Sequence, residues 1–594
     1  MQTNGALLFR EHVVATPDRI AFIAESDGTE TRVTYAEFDE AVHRVAAGLS
    51  ALGLAPADRV LISTRPGPGL LQAVYGTIRA GLTAVLCDPA LPRPTAEAYL
   101  ADVGCVAAIV EGVGSGVDDA VADSAVPHRF TVSGRWGRPF AELLRAEPVA
   151  LPEQVPPRHP AVAFSTSGST GRPKMIIKTH EHFHLLSRYR SGAYTASSPG
   201  EPGTPTRYLV ATSLYHTGGM NAGVMLGLLR GWTGVLAGAF HPAHVLRQLA
   251  RHRCSTVLFT PSQAAVLLRE VALLRDLDLR HLRSVRVASG PSTPELLQRL
   301  RSAFGGTEIL NVYALTECAP CLGQPPGEQQ PLESCGRPWV GVTARVLDDA
   351  GRDSAEGELW LRSDLISEGT ILDPVTTRER YLDGWLRTKD IFRVVDGWYF
   401  FVGRIDDMFV CGGENVFPLQ VEQILVAHPD VLDACVVGLP DPALGAVAGA
   451  HVVLRPGATA SAVDLVDHVR RHAPVHCVPH RIELVPAIAT LGPGKADRRT
   501  VRSALEGGGT VTRQRADGDD VRARIVETWK SVLDLDTVDP DVPFLESGGT
   551  SQLAVEIVTR MNALGVPVDL GEFFVDGSLR QLLDSADADP VPGG

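Results

Sequence analysis

The feature that most limits the fold is an alternation. Short apolar runs rich in β-branched residues are separated, again and again, by segments with helical periodicity. Arg59-Val-Leu-Ile-Ser63 reads as a strand, Leu70 to Ala80 as a helix, and Thr83-Ala-Val-Leu-Cys87 as the next strand. Thr256-Val-Leu-Phe-Thr-Pro261 and Ser284-Val-Arg-Val-Ala-Ser-Gly290 continue the rhythm, which runs to about residue 340. Strands joined through helices pair in parallel, so an α/β protein with a parallel sheet is expected. Nearer the N-terminus, Glu11 to Ala21 reads as a short helix, a turn and a strand. A helix then opens near Thr34, with apolar positions 38, 41, 45, 46 and 49 on one face, and ends at Gly53. Layers of this kind occur in many unrelated enzymes and say little about chemistry.

At 594 residues the chain is too long for one core, and about four domains or subdomains are expected. The 55 basic and 69 acidic residues leave a net charge of -14, without an extended basic run, which argues against nucleic-acid binding as the main role. Met1-Gln-Thr-Asn-Gly5 lacks the charged and apolar regions of a signal peptide, and no run of eighteen apolar residues occurs. A cytoplasmic protein is expected. The nine cysteines, an odd number, favour reduced thiols over a disulfide framework. Cys318 and Cys321 form a lone CxxC, better read as two small pocket or core residues than as a metal or redox pair.

Chemistry enters at Ser165-Thr-Ser-Gly-Ser-Thr-Gly-Arg-Pro-Lys174, set between the apolar runs 161–164 and 175–178. Five hydroxyls, two glycines and a lysine between two strands suggest a backbone-and-hydroxyl cradle for phosphate; the plainer reading is a surface loop. The spacing is not that of a Walker P-loop. His180 and His184 would share a helix face behind it, and a packed helix accounts for them better than a metal site. Leu209 to Asn221 reads as a strand running into a glycine-rich turn that exposes His216 beside a cleft.

Taken with the motifs downstream of it in the chain, the loop resembles the phosphate-binding signature of the adenylate-forming superfamily, which includes acyl- and aryl-CoA ligases, peptide-synthetase adenylation domains and luciferases. Asn311-Val-Tyr-Ala-Leu-Thr-Glu317 is similar to the family's Asn-x-Tyr-Gly-x-Thr-Glu, with Ala314 in place of glycine, so the backbone there must avoid positive φ. Gly384-Trp-Leu-Arg-Thr-Lys-Asp390 resembles Trp-x-x-Thr-Gly-Asp, with Lys389 at the usual glycine. Tyr399-Phe-Phe-Val-Gly-Arg-Ile-Asp-Asp407 comes next, and Cys411-Gly-Gly-Glu-Asn-Val-Phe-Pro418 resembles the acyl-CoA ligase version of its segment. Gly492-Pro-Gly-Lys495 matches the turn that carries a mobile lysine.

The resemblance implies ATP and Mg2+ as cofactors and assigns roles by position. Thr166, Ser167, Gly168, Ser169, Thr170, Gly171 and Lys174 would grip the phosphates. Tyr313 would stack on adenine, Thr316 contact phosphate and Glu317 bind magnesium, while Asp390 and Arg404 would hold the ribose or phosphate. Asp406 would be the hinge, and Lys495 would bridge carboxylate and phosphate. The acyl pocket would be formed by His216, Thr217, Gly218, Asn221, Val287, Ser289, Gly290, Val312, Pro320 and Cys321. Family members that activate α-amino acids usually place an aspartate at position 217 to pair with the ammonium. Thr217 makes such a substrate costly, because a buried ammonium would go unpaired.

After a linker-like stretch at 506–519, Pro543-Phe-Leu-Glu-Ser-Gly-Gly-Thr-Ser551 precedes an amphipathic helix. Ser551 would serve locally as an N-cap, but the whole stretch resembles the carrier signature Phe-x-x-Leu-Gly-Gly-Asp-Ser-Leu, whose serine takes 4'-phosphopantetheine. Ser547 and Thr550 depart from it. The implied organisation is an adenylation core over 1–405, layered in sheets and helices; a small mobile α/β subdomain over 406–505; the linker; an all-α four-helix carrier domain over 520–586; and a tail over 587–594. The implied function is ATP-dependent activation of an aryl or short acyl acid as acyl-AMP, with transfer to the chain's own carrier thiol, as a starter unit for natural-product or nonribosomal peptide assembly. Implied partners are the carboxylic acid, a phosphopantetheinyl transferase and a downstream acyl-accepting enzyme, with no nucleic acid and no membrane. Three alternatives stand beside it: an α-amino acid-activating module, an acyl-CoA ligase with a vestigial carrier, and a non-catalytic scaffold.

Overall fold

The computed structural model describes the chain apart from residues 27–28, 135, 167–173, 189–205, 326–327, 368–373, 442–443, 492–494, 508–517, 534, 536, 545–546, 548–556, 559, 562–565, 567, 569–572, 574–576 and 588–594. It divides into two compact units, Met1–Phe401 and Val402–Gly594.

Two seven-stranded sheets build the first unit. One runs in the order Lys174–Thr179, Pro160–Thr166, Thr83–Leu86, Arg59–Ser63, Ala107–Val110, His128–Thr131, Arg138–Pro139. Its strands pair in parallel except at the Lys174–Thr179 edge, which runs antiparallel to Pro160–Thr166. Val60, Leu61 and Ile62 have no solvent exposure, as expected of a strand covered on both faces. The other sheet runs Glu308–Asn311, Ser284–Val287, Thr256–Phe259, Arg207–Val210, Thr233–Leu236, Ile20–Ser26, Thr29–Thr34. The parallel alternation thus ends at Asn311. From Thr343 onward the unit turns to an antiparallel sheet, including Thr343–Leu347, Glu356–Arg362 and Trp385–Val395.

The helix expected from Thr34 spans Tyr35–Ser50, and Thr34 and Glu37 close a capping box at its start. Its buried face includes Phe38, Val42, Val45, Ala46 and Leu49, so Val42 rather than Ala41 completes the stripe. It packs on Pro68–Arg79, where the backbones approach closely: a Cβ at Gly76 would lie 2.4 Å from Val45. The helix His180–Arg188 is held by its histidines. His180 Nδ1 accepts the Gly5 N–H at 2.9 Å, and His184 Nε2 donates to the Thr3 carbonyl at 2.7 Å. Both rings therefore anchor the N-terminal segment. Among the described residues no cluster of three or more His, Cys, Asp or Glu is placed to hold a metal.

The second unit contains a small α/β core and a helical one. In the first, Val431–Asp441 and Gly445–Leu454 form a long antiparallel pair, covered by Pro418–Ala427 and Ala462–His472, and Val436, Val452, Leu465 and Val469 are fully buried. Beyond it, Gly518–Leu533 and Leu579–Asp587 pack together, with Trp529, Phe544, Ile557, Phe573 and Leu582 as the core. Leu444 and Val475 of the α/β part pack against that core. All nine cysteines are buried and unpaired as disulfides. No described helix is long and apolar enough to cross a membrane.

Candidate active site

The Ser/Gly-rich segment expected to bind phosphate joins the antiparallel pair Pro160–Thr166 and Lys174–Thr179, with Thr166 opposite Lys174 at its base. The pairing brings the two ends of the loop together. Ser167, Gly168, Ser169, Thr170 and Gly171 lie outside the described residues, as do the side chains of Thr166 and Lys174. Beside the loop's first residue stands His216, which donates to the Ser165 backbone. Burial holds its ring below the ordinary histidine range, against the pull of Asp88 and of the Ser165 bond.

His216 leads into Gly218–Met225, where the expected glycine-rich turn is a π-helix. Such wide turns concentrate at functional sites. Gly219 permits this one, because a Cβ there would lie 2.3 Å from the Ser213 carbonyl oxygen. The π-helix carries Asn221, which is 3% exposed. His182 Nε2 donates to Asn221 Oδ1 at 3.1 Å, and Asn221 Nδ2 reaches the Ala319 carbonyl at 3.5 Å. A histidine of the helix His180–Arg188 thereby fixes an expected pocket residue.

The remaining expected pocket residues separate into two groups. Gly218 faces Ser289, whose hydroxyl would lie 3.4 Å from a Cβ at position 218. Ser289 and Gly290 are exposed, and Ser289 has φ of 70°, a conformation rarely tolerated outside glycine. Val312 packs with Ala288, Leu310 and Leu258. Val287, by contrast, has no exposure and belongs to the helix-covered core with Val285, Val257 and Phe259. Successive residues of a strand face opposite ways, so Ala288 is the one turned to Val312. Cys321 lies in the core with Cys318 and donates to its carbonyl at 2.6 Å; Pro320 is buried, and Thr217 is partly exposed.

The Asn311–Glu317 segment brings the most functional groups together. Ala314 keeps φ out of the positive range, whereas Lys389 adopts φ of 62°, the conformation that glycine would supply, and donates its N–H to Glu358 at 3.0 Å. Tyr313 Oη donates to Asp390 Oδ2 at 2.5 Å, and its ring meets Phe392 edge-on at 4.9 Å. Asp390 is 1% exposed and Thr316 partly exposed. Glu317 is buried and held from several sides. Its carbonyl accepts Lys178 Nζ at 2.8 Å and the Ser367 N–H at 2.9 Å, and its carboxylate pairs with Arg380. Lys178 is itself buried; desolvation pushes its ammonium down to about 8, against the pull of Cys318, Glu317 and Cys321.

Sequence reasoning alone does not single out Lys178, His182, Ala288 or Arg380. A lysine after Met175-Ile-Ile in an apolar strand is the one signal that draws attention to any of them.

In the second unit Arg404 and Asp406 approach within 3.7 Å. Lys495 pairs with Leu491 in a two-stranded turn, and its side chain lies outside the described residues. The next helix begins at Arg498, which pairs with the buried Glu422 and donates to the Val436 carbonyl at 2.6 Å. Burial disfavours the guanidinium charge, but Glu422 outweighs it and the group stays protonated. Ser551 also lies outside the described residues.

Residues 9–370 match the model of the AMP-binding enzymes, and residues 420–495 that of the AMP-binding enzyme C-terminal domain. The chain belongs to the AMP-binding enzyme family. Residues 523–585 match the phosphopantetheine attachment site, so this AMP-binding enzyme carries a fused carrier domain. A 3-[(3aS,4S,7aS)-7a-methyl-1,5-dioxo-octahydro-1H-inden-4-yl]propanoyl:CoA ligase of Mycobacterium tuberculosis is 30% identical over 503 residues, 82% of this chain and 96% of that protein. A feruloyl-CoA synthase of an Amycolatopsis species is 29% identical over 485 residues, covering 80% and 94%. The solved structure of the amide bond synthetase McbA from Marinactinospora thermotolerans superposes with a TM-score of 0.74 at 26% identity, covering 84% and 99%. The chain is accordingly an ATP-dependent acid–thiol ligase that forms acyl adenylates, of mixed α/β architecture with a C-terminal carrier.

Proposed function

We propose that the enzyme activates an aryl or short acyl acid, not an α-amino acid, and loads it onto the pantetheine thiol of its own Ser551. The observation that carries the substrate class is Thr217. It takes the position where family members that activate α-amino acids place the aspartate that pairs with the ammonium, and its neighbour Gly218 faces Ser289, a hydroxyl and not a carboxylate. Small polar points on an apolar wall of Ala288 and Val312 suit a neutral ring or short chain.

In the first half-reaction a carboxylate oxygen of the acid attacks the α-phosphorus of ATP, and pyrophosphate leaves. The loop from Thr166 to Lys174 grips the phosphates, Tyr313 lines adenine, and Asp390 and Arg404 take the ribose. Lys495 bridges carboxylate and phosphate, and Thr316 touches phosphate. Glu317 offers one oxygen ligand and already holds a cation in Arg380, a donor set that suits a hard ion sharing its remaining positions with phosphate and water. Magnesium held there by Glu317 would neutralise charge that develops on the phosphates. The second half-reaction comes after a turn of the 406–505 subdomain about Asp406: the thiol attacks the acyl carbon, and AMP leaves. The functional divisions of the chain fall at 405, 505 and 519, as the motifs do.

The free acyl-CoA ligase is kept as a second reading, because the relatives at 29–30% identity are CoA ligases. An ATP–pyrophosphate exchange screen over benzoic, heteroaryl, cinnamic, short acyl and α-amino acids tests the substrate class; exchange confined to α-amino acids overturns it. Mass spectrometry after coexpression with a phosphopantetheinyl transferase tests the acceptor, since an unmodified Ser551 with acyl-CoA release favours the second reading. A Lys495→Ala variant with full exchange activity would point instead to a scaffold. We further propose a cytoplasmic starter or supply unit, whose loaded carrier is emptied by a downstream acyl-accepting enzyme.

A further inference from the structure

The Glu317 main chain is fixed while its carboxylate is committed to a partner that the motifs do not include. Lys178 Nζ bonds its carbonyl at 2.8 Å and that of Leu365 at 3.4 Å, and Ser367 adds its N–H at 2.9 Å and its hydroxyl at 3.2 Å to the Glu317 carbonyl. The backbone at 317 is therefore immobilised from beneath. On the other side Arg380, the last residue of the helix Pro374–Arg380, pairs with the carboxylate. Its Nε donates to the Arg387 carbonyl at 3.1 Å, which orients the guanidinium plane. The two side chains are only 16% and 11% exposed, so each charge depends on the other for its stability.

We propose that Arg380 is a positioning residue that stands in for the metal on Glu317 when the nucleotide site is empty, and that it turns to the triphosphate when the metal arrives. The proposal rests on the reading that Glu317 meets the metal-bound nucleotide. A guanidinium and a divalent ion repel each other at one carboxylate. The triphosphate brought with the metal offers the displaced guanidinium several anionic oxygens, which its planar fork suits. The exchange keeps Glu317 paired throughout, so no uncompensated buried carboxylate appears at any stage. It also predicts that Arg380 weakens metal binding to the empty site and strengthens nucleotide binding.

The test uses the full chain with Arg380→Gln, Arg380→Lys and Glu317→Gln. Manganese binding without nucleotide is followed by electron paramagnetic resonance, and ATP binding without metal by calorimetry. In Arg380→Gln, manganese binding tightens at least tenfold and metal-free ATP binding weakens at least tenfold. Arg380→Lys, which keeps the charge but loses the bond that orients it, falls between. If both affinities in Arg380→Gln stay within twofold of the parent, the proposal is wrong. Should that variant fail to fold, Arg380→Lys decides, and unchanged affinities there overturn the proposal too. Glu317→Gln separates the two levels. A manganese-dependence of ATP binding unaltered by that change removes the role of Glu317 itself, whereas its loss alongside an inert Arg380→Gln removes only the role of Arg380.

Discussion

Tyr313 and Asp390 are 77 positions apart, yet one hydroxyl joins them at 2.5 Å. With Asp390 only 1% exposed, the bond fixes a carboxylate that is shielded from water. A hydrogen bond to a charged group contributes about 1.5–3 kcal/mol. Tyr313→Phe keeps the ring against Phe392 and removes that bond, so the KM for ATP in pyrophosphate exchange rises by about tenfold or more with the fold intact. A KM within twofold of the parent would show that Asp390 needs no help from Tyr313. Lys389 presents a different cost. An L-residue at φ of 62° is strained by about 1–2 kcal/mol, and the N–H bond to Glu358 holds it there. Lys389→Gly relieves the strain but gains freedom in the unfolded chain, for a net stabilisation of about 0.5–1 kcal/mol, read from the urea midpoint. The motifs locate these residues in the sequence, and they mark the departure at 389. They do not reveal that the backbone keeps the glycine conformation regardless, because that depends on a contact with residue 358.

Helical period and strand alternation place most elements within a residue or two. Where they fail, tertiary contacts intervene. The stripe on Tyr35–Ser50 runs through Val42 because the facing helix meets it at Gly76, a close approach invisible in one helix alone. The π-helix at Gly218–Met225 arises from packing of Gly219 on Ser213, not from any local periodicity. The helix His180–Arg188 is the element with the clearest pH signature. Burial, together with His159 and His184, pushes His180 down to about 3, and burial with Lys178 does the same to His182, against the Asn221 bond. Both folded values lie below the ordinary 6.5, so the unfolded chain takes up these protons first as pH falls. Their contribution to stability is complete above about pH 6.5 and declines toward pH 3. Two such protons correspond to a slope of up to about 2.7 kcal/mol per pH unit. Urea midpoints measured at pH 7.5, 6 and 5 therefore fall in order. His182→Asn removes one of the two protons and halves this pair's share of the slope; an unchanged slope would place the titration elsewhere.

Across the whole chain, the proposed catalytic groups are divided between two compact units. Glu317 and Asp390 belong to Met1–Phe401, while Arg404, Lys495 and Ser551 belong to Val402–Gly594. The order of these motifs is legible because each is local. What no local stretch reveals is how one group is held by another, as Glu317 is by Lys178 and Arg380, since those residues lie 139 and 63 positions away. The carrier raises the same issue at larger scale. On the proposed organisation the helices Arg498–Gly507 and Gly518–Leu533 reach into the two ends of 506–519, and a flexible tether between them would span about 20 Å and hold the thiol at an effective concentration of roughly millimolar. A protease site placed within 508–517 separates tether from chemistry. After cleavage, ATP–pyrophosphate exchange continues unchanged, while carrier loading at about 10 µM protein slows by about a hundredfold and becomes dependent on protein concentration. Leu444 and Val475 pack against the carrier core and offer a second means of retention. Loading that stays fast and concentration-independent after the cut would show that this apolar contact, and not the linker, keeps the thiol at hand. In that event Leu444→Asp in the cleaved protein should restore the concentration dependence.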